Sequence, residues 1–181
     1  MSLLELLGNG LDYNVGETLG RFLRARCIRP PAQLTHLANE HEDWPVVQYE
    51  LGLSCLHGLK LDQAVEHLSL ACRYKPDYVA ARLALASAHD EQGLSGKALD
   101  QLRIANEVHP GAPEVLFAMG YCLEKLARPE DAAECYRDAL AARADLTAAR
   151  QRLAAIALAA DRVDEAIDQY EALRELTGED P

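Results

Sequence analysis

Pro76 and Pro110 stand 34 residues apart, and the rest of the chain keeps the same spacing. Cut at that period into segments 45–78, 79–112, 113–146 and 147–180, the chain carries Ala64, Ala98, Ala132 and Ala166 at one internal position. Ala71, Ala105 and Ala139 follow seven residues later, and only Leu173 breaks that second series. The eighth residue of each segment is small (Gly52, Ala86, Gly120, Ala154) and the seventh is apolar (Leu51, Leu85, Met119, Leu153). A fixed period of this length is the signature of stacked helix pairs. One pair cannot bury its apolar face alone, so neighbouring pairs bury it for each other, and small residues mark where two helices approach closely.

In this frame the chain resembles the tetratricopeptide repeat family. Its pattern is Trp-x2-Leu-Gly-x2-Tyr in a first helix, Ala-x3-Phe-x2-Ala in a second, and Pro near the end. The matching stretches are Gln48-x2-Leu51-Gly52, Leu116-x2-Met119-Gly120, Ala132-x3-Tyr136-x2-Ala139 and Ala166-x3-Tyr170, with Pro76 and Pro110 closing two repeats. No repeat keeps the first-helix Trp, Arg82 and Arg150 stand at that position, and Ala144 and Gly178 replace the terminal Pro. The resemblance implies an all-α superhelix of four helix-turn-helix repeats over residues 45–180. It also implies a concave groove lined by the second, fifth, ninth and twelfth residues of the first helices.

Those lining residues are Val46, Tyr49, Leu53 and Leu56; Ala80, Leu83, Ser87 and Asp90; Glu114, Phe117, Tyr121 and Glu124; and Ala148, Gln151, Ala155 and Leu158. Spacings of three and four keep each set on one helical face. The groove is expected to be apolar and aromatic in its first three repeats, with Tyr49, Leu53, Leu83, Phe117 and Tyr121 as anchors. Asp90, Glu114 and Glu124 are expected to give it an acidic edge. The Lys and Asn with which some family members clamp a C-terminal carboxylate are missing from these positions. The expected partner is therefore a peptide or helix of another protein that presents apolar side chains beside Lys or Arg.

Local signals agree with helix pairs. The frame predicts first helices over 45–58, 79–92, 113–126 and 147–160, and second helices over 62–74, 96–108, 130–142 and 164–176. Asp77 and Asp145 are placed to act as N-caps, Pro129 to open a second helix, and Gly58, Gly93 and Gly96 to mark turns. Ala64, Leu68 and Ala71, like Ala98, Leu102 and Ala105, recur at i, i+4 and i+7, which is a helical stripe. Alternation of the kind that strands show is absent over any useful length.

The formal net charge is −11, of which residues 45–181 hold −9, with 23 acidic and 14 basic residues. Binding to a phosphate backbone depends on Lys and Arg displacing counterions, so this balance argues against nucleic acid as a partner and allows steering of a basic protein segment. No run of apolar residues is long enough to span a membrane, and the first residues carry no basic leader, so a cytoplasmic protein is expected. Cys27, Cys55, Cys72, Cys122 and Cys135 lack Cys-x-x-Cys spacing and read as reduced core thiols.

Residues 1–44 fall out of phase, because the frame continued backwards puts Thr18 and Pro30 where small residues belong. Val15, Leu19, Phe22, Leu23 and Cys27 still form a helical stripe, and Pro31 can open a short helix. This segment reads as a helical cap over the first repeat or as a strap docked in the groove. At the other end the frame leaves Ile167, Tyr170 and Leu173 without a following repeat. Three readings follow: a longer natural protein, pairing with another subunit through helix 164–176, or solvation by Asp164, Glu165, Asp168, Glu171 and Glu175.

Motifs for chemistry are poor. Gly8-Asn-Gly10 with Gly16 has neither the preceding strand nor the spacing of a dinucleotide fingerprint. His36 and His41 are five apart and do not share a helix face, and Cys122 with Cys135 lacks a His partner for zinc. His89, Asp90 and Glu91 are consecutive and point in different directions. No catalytic residue, metal or cofactor is expected. The sequence favours a non-enzymatic interaction scaffold, with a recruiting or regulatory domain of a larger enzyme, such as a transferase, as the alternative.

Overall fold

The computed structural model describes residues 41–178 other than Glu42, together with His36. The expected cap or strap over 1–44 and the Gly8–Gly16 stretch therefore lie almost entirely outside the described residues. The rest is all-α. First helices are α1 (Pro45–His57), α3 (Val79–Glu91), α5 (Pro113–Lys125) and α7 (Thr147–Ala159). Second helices are α2 (Leu61–Tyr74), α4 (Ser95–Val108), α6 (Pro129–Ala142) and α8 (Val163–Thr177). Each helix packs on its neighbours in sequence, and α1 also touches α3 directly. The stack is a solenoid of four helix pairs among the described residues.

The repeat frame reappears in the backbone. Leu59, Gly93, Ala127 and Asp161, spaced at the same period, all take the left-handed conformation, with φ of 55°, 75°, 56° and 58°. Each is followed by an N–H that reaches five residues back: Lys60 to Cys55, Leu94 to His89, Arg128 to Leu123 and Arg162 to Ala157, at 2.8–2.9 Å. This closure satisfies carbonyls that the end of a first helix leaves open and turns the chain into the second helix. Glycine supplies the conformation without strain only at Gly93.

The small eighth residues set the approach of the paired helices. A Cβ built on Gly52 would lie 2.5 Å from Leu68 Cγ, and one on Gly120 would lie 2.6 Å from the Tyr136 ring. Ala64, Ala98, Ala132, Ala71, Ala105 and Ala139 are fully buried along the facing stripe. Where the family keeps a Trp, this chain bridges the two helices with polar groups. Gln48 meets His67 at 2.9 Å, Arg82 donates to Gln101 at 3.3 Å and Arg150 to Gln169 at 3.4 Å. Both arginines also donate back to the carbonyl that precedes their helix by three residues, Pro76 at 2.7 Å and Ala144 at 3.0 Å. Repeat 3 fills the same two positions with Leu116 and Cys135.

Several local expectations need correction. Tyr78 and Leu146, not Asp77 and Asp145, stand at the N-caps of α3 and α7, and neither makes a side-chain cap bond. The two aspartates lie one residue earlier and accept the N–H of Val79 and Thr147 through their backbone carbonyls. Packing inside the stack fixes these helix starts and makes a side-chain cap dispensable. Gly96 lies inside α4 and makes no turn. Leu173 is buried, whereas Ile167 and Tyr170 are exposed.

Two substitutions separate strain from crowding. Gly93→Ala meets no atom within 4 Å, so its cost is the left-handed backbone alone, about 1 kcal/mol. Gly120→Ala must displace a fully buried Tyr136 and is expected to cost about 1–3 kcal/mol through overpacking. Denaturant unfolding of both variants measures the two costs, and equal losses would mean that the helix approach is not tight at residue 120.

Candidate partner-binding face

The residues expected to line the groove divide sharply by burial. Tyr49, Leu53, Leu56, Leu83, Ser87, Asp90, Phe117, Tyr121 and Ala148 are buried, and Ala80, Glu114 and Glu124 are partly so. Val46, Gln151, Ala155 and Leu158 are exposed. Phe117 packs on Tyr136 with ring centroids 5.4 Å apart, and Tyr49 on Tyr78 at 5.0 Å. These rings hold the stack together in this structure, and truncating Phe117 would open a core cavity rather than remove a surface anchor. Ser87 donates its hydroxyl to the Leu83 carbonyl within α3.

The three acids of the expected edge are all paired. The Asp90 side chain is fully buried and accepts from Lys125 Nζ at 2.6 Å, with Ser95 Oγ donating at 3.4 Å. Glu114 meets Arg143 at 3.2 Å, and Glu124 meets Arg152 at 3.7 Å. Glu124 also accepts the Tyr136 hydroxyl at 2.5 Å. Two of these pairs cross between repeats, Asp90 of α3 with Lys125 of α5 and Glu124 of α5 with Arg152 of α7. Between them lies Tyr121, its ring 5.1 Å from Lys125 Nζ and 5.6 Å from the Arg152 guanidinium carbon. Both distances are in the range where a cation is attracted to an aromatic face.

Lys125, Arg143 and Arg152 belong to this face and were missed from sequence. Their signal is one of opposite charge separated by 35, 29 and 28 residues. The first and last of these become meaningful only once successive first helices are known to lie side by side, and the second only once the two helices of a repeat are known to be antiparallel.

Burial and charge shift the titrating groups here. Burial works against the Lys125 ammonium, yet the hydrogen bond and charge of Asp90 prevail and hold it above the ordinary lysine value of 10.5. Burial raises the Tyr121 and Tyr136 hydroxyls, helped by Asp90 in the first case and by the Glu124 hydrogen bond in the second. Burial pushes the Cys122 thiol up to about 12 and raises Cys55, Cys72 and Cys135 as well. All four of these cysteines are free thiols. Among the described residues no group of three or more His, Cys, Asp or Glu is placed to hold a metal ion, and no helix is long and apolar enough to cross a membrane.

No protein-family model matches the chain, and no curated protein matches it. Solved structures do. A crystal structure of MamA superposes with a TM-score of 0.78 at 16% identity, over 82% of this chain and 86% of that one. MamA residues 41 to the end from Desulfovibrio magneticus RS-1 gives 0.75 at 16% identity, over 88% and 90%. YrrB, described as a TPR protein with an unusual peptide-binding site, gives 0.70 at 17% identity, over 81% and 76%. The fold is the tetratricopeptide-repeat solenoid. Identities this low establish the architecture and leave this chain's partner to be argued from its own residues.

The Asp90–Lys125 contact ties α3 to α5. Lys125→Met withdraws the ammonium from a buried carboxylate and is expected to destabilise by about 1–3 kcal/mol. Because the Lys125 value is raised in the folded state, its contribution is complete below pH 10.5 and is lost as pH rises through the folded value. The Met variant should therefore lose less stability than wild type between neutral pH and strongly alkaline pH. The thiols give a separate check. At pH 8 the Cys122 side chain is almost wholly protonated, so iodoacetamide should modify it more than about 100-fold more slowly in the native than in the unfolded chain. Mass-spectrometric peptide mapping of the alkylated protein reads this directly.

Proposed function

We propose that the protein is a non-enzymatic scaffold that holds a peptide or helical segment of another protein against the inner face of its first helices. The observation that carries this reading is the pair of partly exposed cations, Lys125 and Arg152, set around the buried Tyr121 ring where repeats 2, 3 and 4 meet, with Gln151 and Ala155 exposed on α7. A partner residue entering there finds two partly exposed cations and the Gln151 amide. Small relief of this kind suits an extended or helical segment rather than a small molecule. A peptide-binding site in YrrB, a protein of the same fold, gives the reading further support.

The groove set proposed from sequence, Val46, Tyr49, Leu53, Leu83, Ser87, Asp90, Glu114, Phe117, Tyr121, Glu124 and Gln151, is kept as a face but divided in role. Val46 and Gln151 meet the partner, and the buried members, Tyr121 among them, support them from beneath. The partner presents apolar side chains. Its preference for basic flanks rests on the overall charge of −11, since Asp90, Glu114 and Glu124 are already neutralised by their own cations. Long-range charge of this kind raises association rate more than it holds the complex.

Gln151→Arg combined with Ala155→Arg places bulk and charge on exposed positions of α7 and should leave the circular dichroism spectrum unchanged. Proteins captured from the native host by the wild-type chain should be lost from this variant. Undiminished capture would put the partner surface elsewhere.

A further inference from the structure

Part of α8, beside its contact with α7, is left exposed among the described residues, and the repeats themselves indicate what fits there. Tyr170 is 50% exposed, whereas its counterparts Leu68, Leu102 and Tyr136 are fully buried. Ile167 is 48% exposed, whereas Leu99 and Ala133 at the same place in repeats 2 and 3 are buried. With Val163, also half exposed, these residues fall at i, i+4 and i+7 and make one stripe along the helix. In repeats 1 to 3 the second helix is covered by the first helix of the following repeat, through the α2–α3, α4–α5 and α6–α7 contacts. Among the described residues no helix lies on the α8 stripe in this way.

The residues beside the stripe select the occupant. Asp164, Asp168, Glu171 and Glu175 run one residue behind it along the neighbouring edge and are all exposed, whereas Glu165 pairs with Arg162 at 3.6 Å and lines, with Asp168, Arg137 and Arg162, a cavity against α6 and α7. Arg174 is the only base on α8. Packing α8 against α8 of a second copy would bring these carboxylates together, and like charges facing each other oppose association. A net charge of −11 opposes other pairings of two copies as well. The expectation of self-association through this helix therefore gives way to a partner of opposite charge.

We propose that the outward face of α8 docks an amphipathic, basic helix of a partner protein, seated on α8 as α7 is seated on α6. The apolar side of the incoming helix covers Val163, Ile167 and Tyr170. Its Lys or Arg residues lie over the acidic edge. α7 shows the residue type required, since Ala149, Leu153 and Ile156 are what it buries in the shared core with α6. This surface is separate from the inner face proposed above.

The test uses a synthetic amphipathic helix built of Leu, Ala and Lys as the probe, with a Glu-for-Lys version as its control, and follows binding by fluorescence anisotropy at physiological ionic strength. The Lys peptide should bind and the Glu peptide should not. Ile167→Asp with Tyr170→Asp makes the protein more acidic, so attraction by charge alone would tighten binding, whereas docking on the stripe requires that it weaken at least about tenfold. Ile167→Ser with Tyr170→Ser, which leaves the charge unchanged, should weaken it in the same direction. Amide hydrogen exchange on the wild-type complex should show new protection confined to residues 163–176. The Gln151→Arg, Ala155→Arg variant should bind the probe normally. Binding retained or strengthened in the Asp variant, equal binding of the Glu peptide, protection on the inner face instead, or a concentration-dependent dimer abolished by the Ser variant would each overturn the proposal.

Discussion

The closest approach between the helices of each repeat, at residues 52, 86, 120 and 154, governs the rest of the structure. At Gly52 and Gly120 even a methyl group would collide with the facing side chain, so the two helices meet almost backbone to side chain. That separation fixes how far apart the pair stands and thus the angle at which the next pair is laid on it. The Ala stripe on each second helix is the other half of the constraint, because a larger residue at Ala64, Ala98 or Ala132 would push the pair open. A left-handed residue at the same place in all four turns keeps the geometry constant, even where Leu59, Ala127 and Asp161 bear the conformation less easily than glycine. The backbone period is more regular than the sequence period because a stacked array transmits any misfit to its neighbours.

The fold was legible in the sequence because its determinants are local or recur at a fixed spacing: small residues, stripes and turn residues in phase. The observed helices begin and end within about a residue of the frame. N-caps at Asp77 and Asp145 were misjudged because cap propensity is a weak preference that packing overrides. The candidate site was less legible. Lining positions can be counted along each first helix, but their exposure depends on how tightly successive repeats close on one another, and that is a property of the stack. Thus Tyr49, Leu53, Leu83 and Phe117 are buried, whereas Gln151, Ala155 and Leu158, at matching positions of α7, are open.

Polar groups in the stack show a second, slower regularity. Repeats 2 and 4 share Ala-Ala-Arg, at Ala80–Arg82 and Ala148–Arg150, together with alanine at the close approach. Repeats 1 and 3 open instead on Pro45 and Pro113 and carry glycine there. Arg82 and Arg150 make the same pair of contacts, to a glutamine on the second helix and to a carbonyl ahead of their own helix. A planar guanidinium with several donors suits this double attachment, which a lysine could not reproduce. The position that holds an aromatic in the family pattern is thus converted in these two repeats into a polar clasp between helices and linker.

Charge is distributed differently on the first-helix face and along α8. On the first-helix face, Asp90, Glu114 and Glu124 are matched by Lys125, Arg143 and Arg152, and a buried carboxylate such as Asp90 is tolerable only because its counter-charge is fixed 2.6 Å away. Along α8 the acids are exposed and outnumber Arg174, the one base of that helix, and Glu165 pairs with Arg162 just ahead of it at 3.6 Å. The first-helix face is thus charge-matched within the array, whereas α8 keeps an excess of open carboxylates, because only the former lies where successive repeats bring opposite charges together.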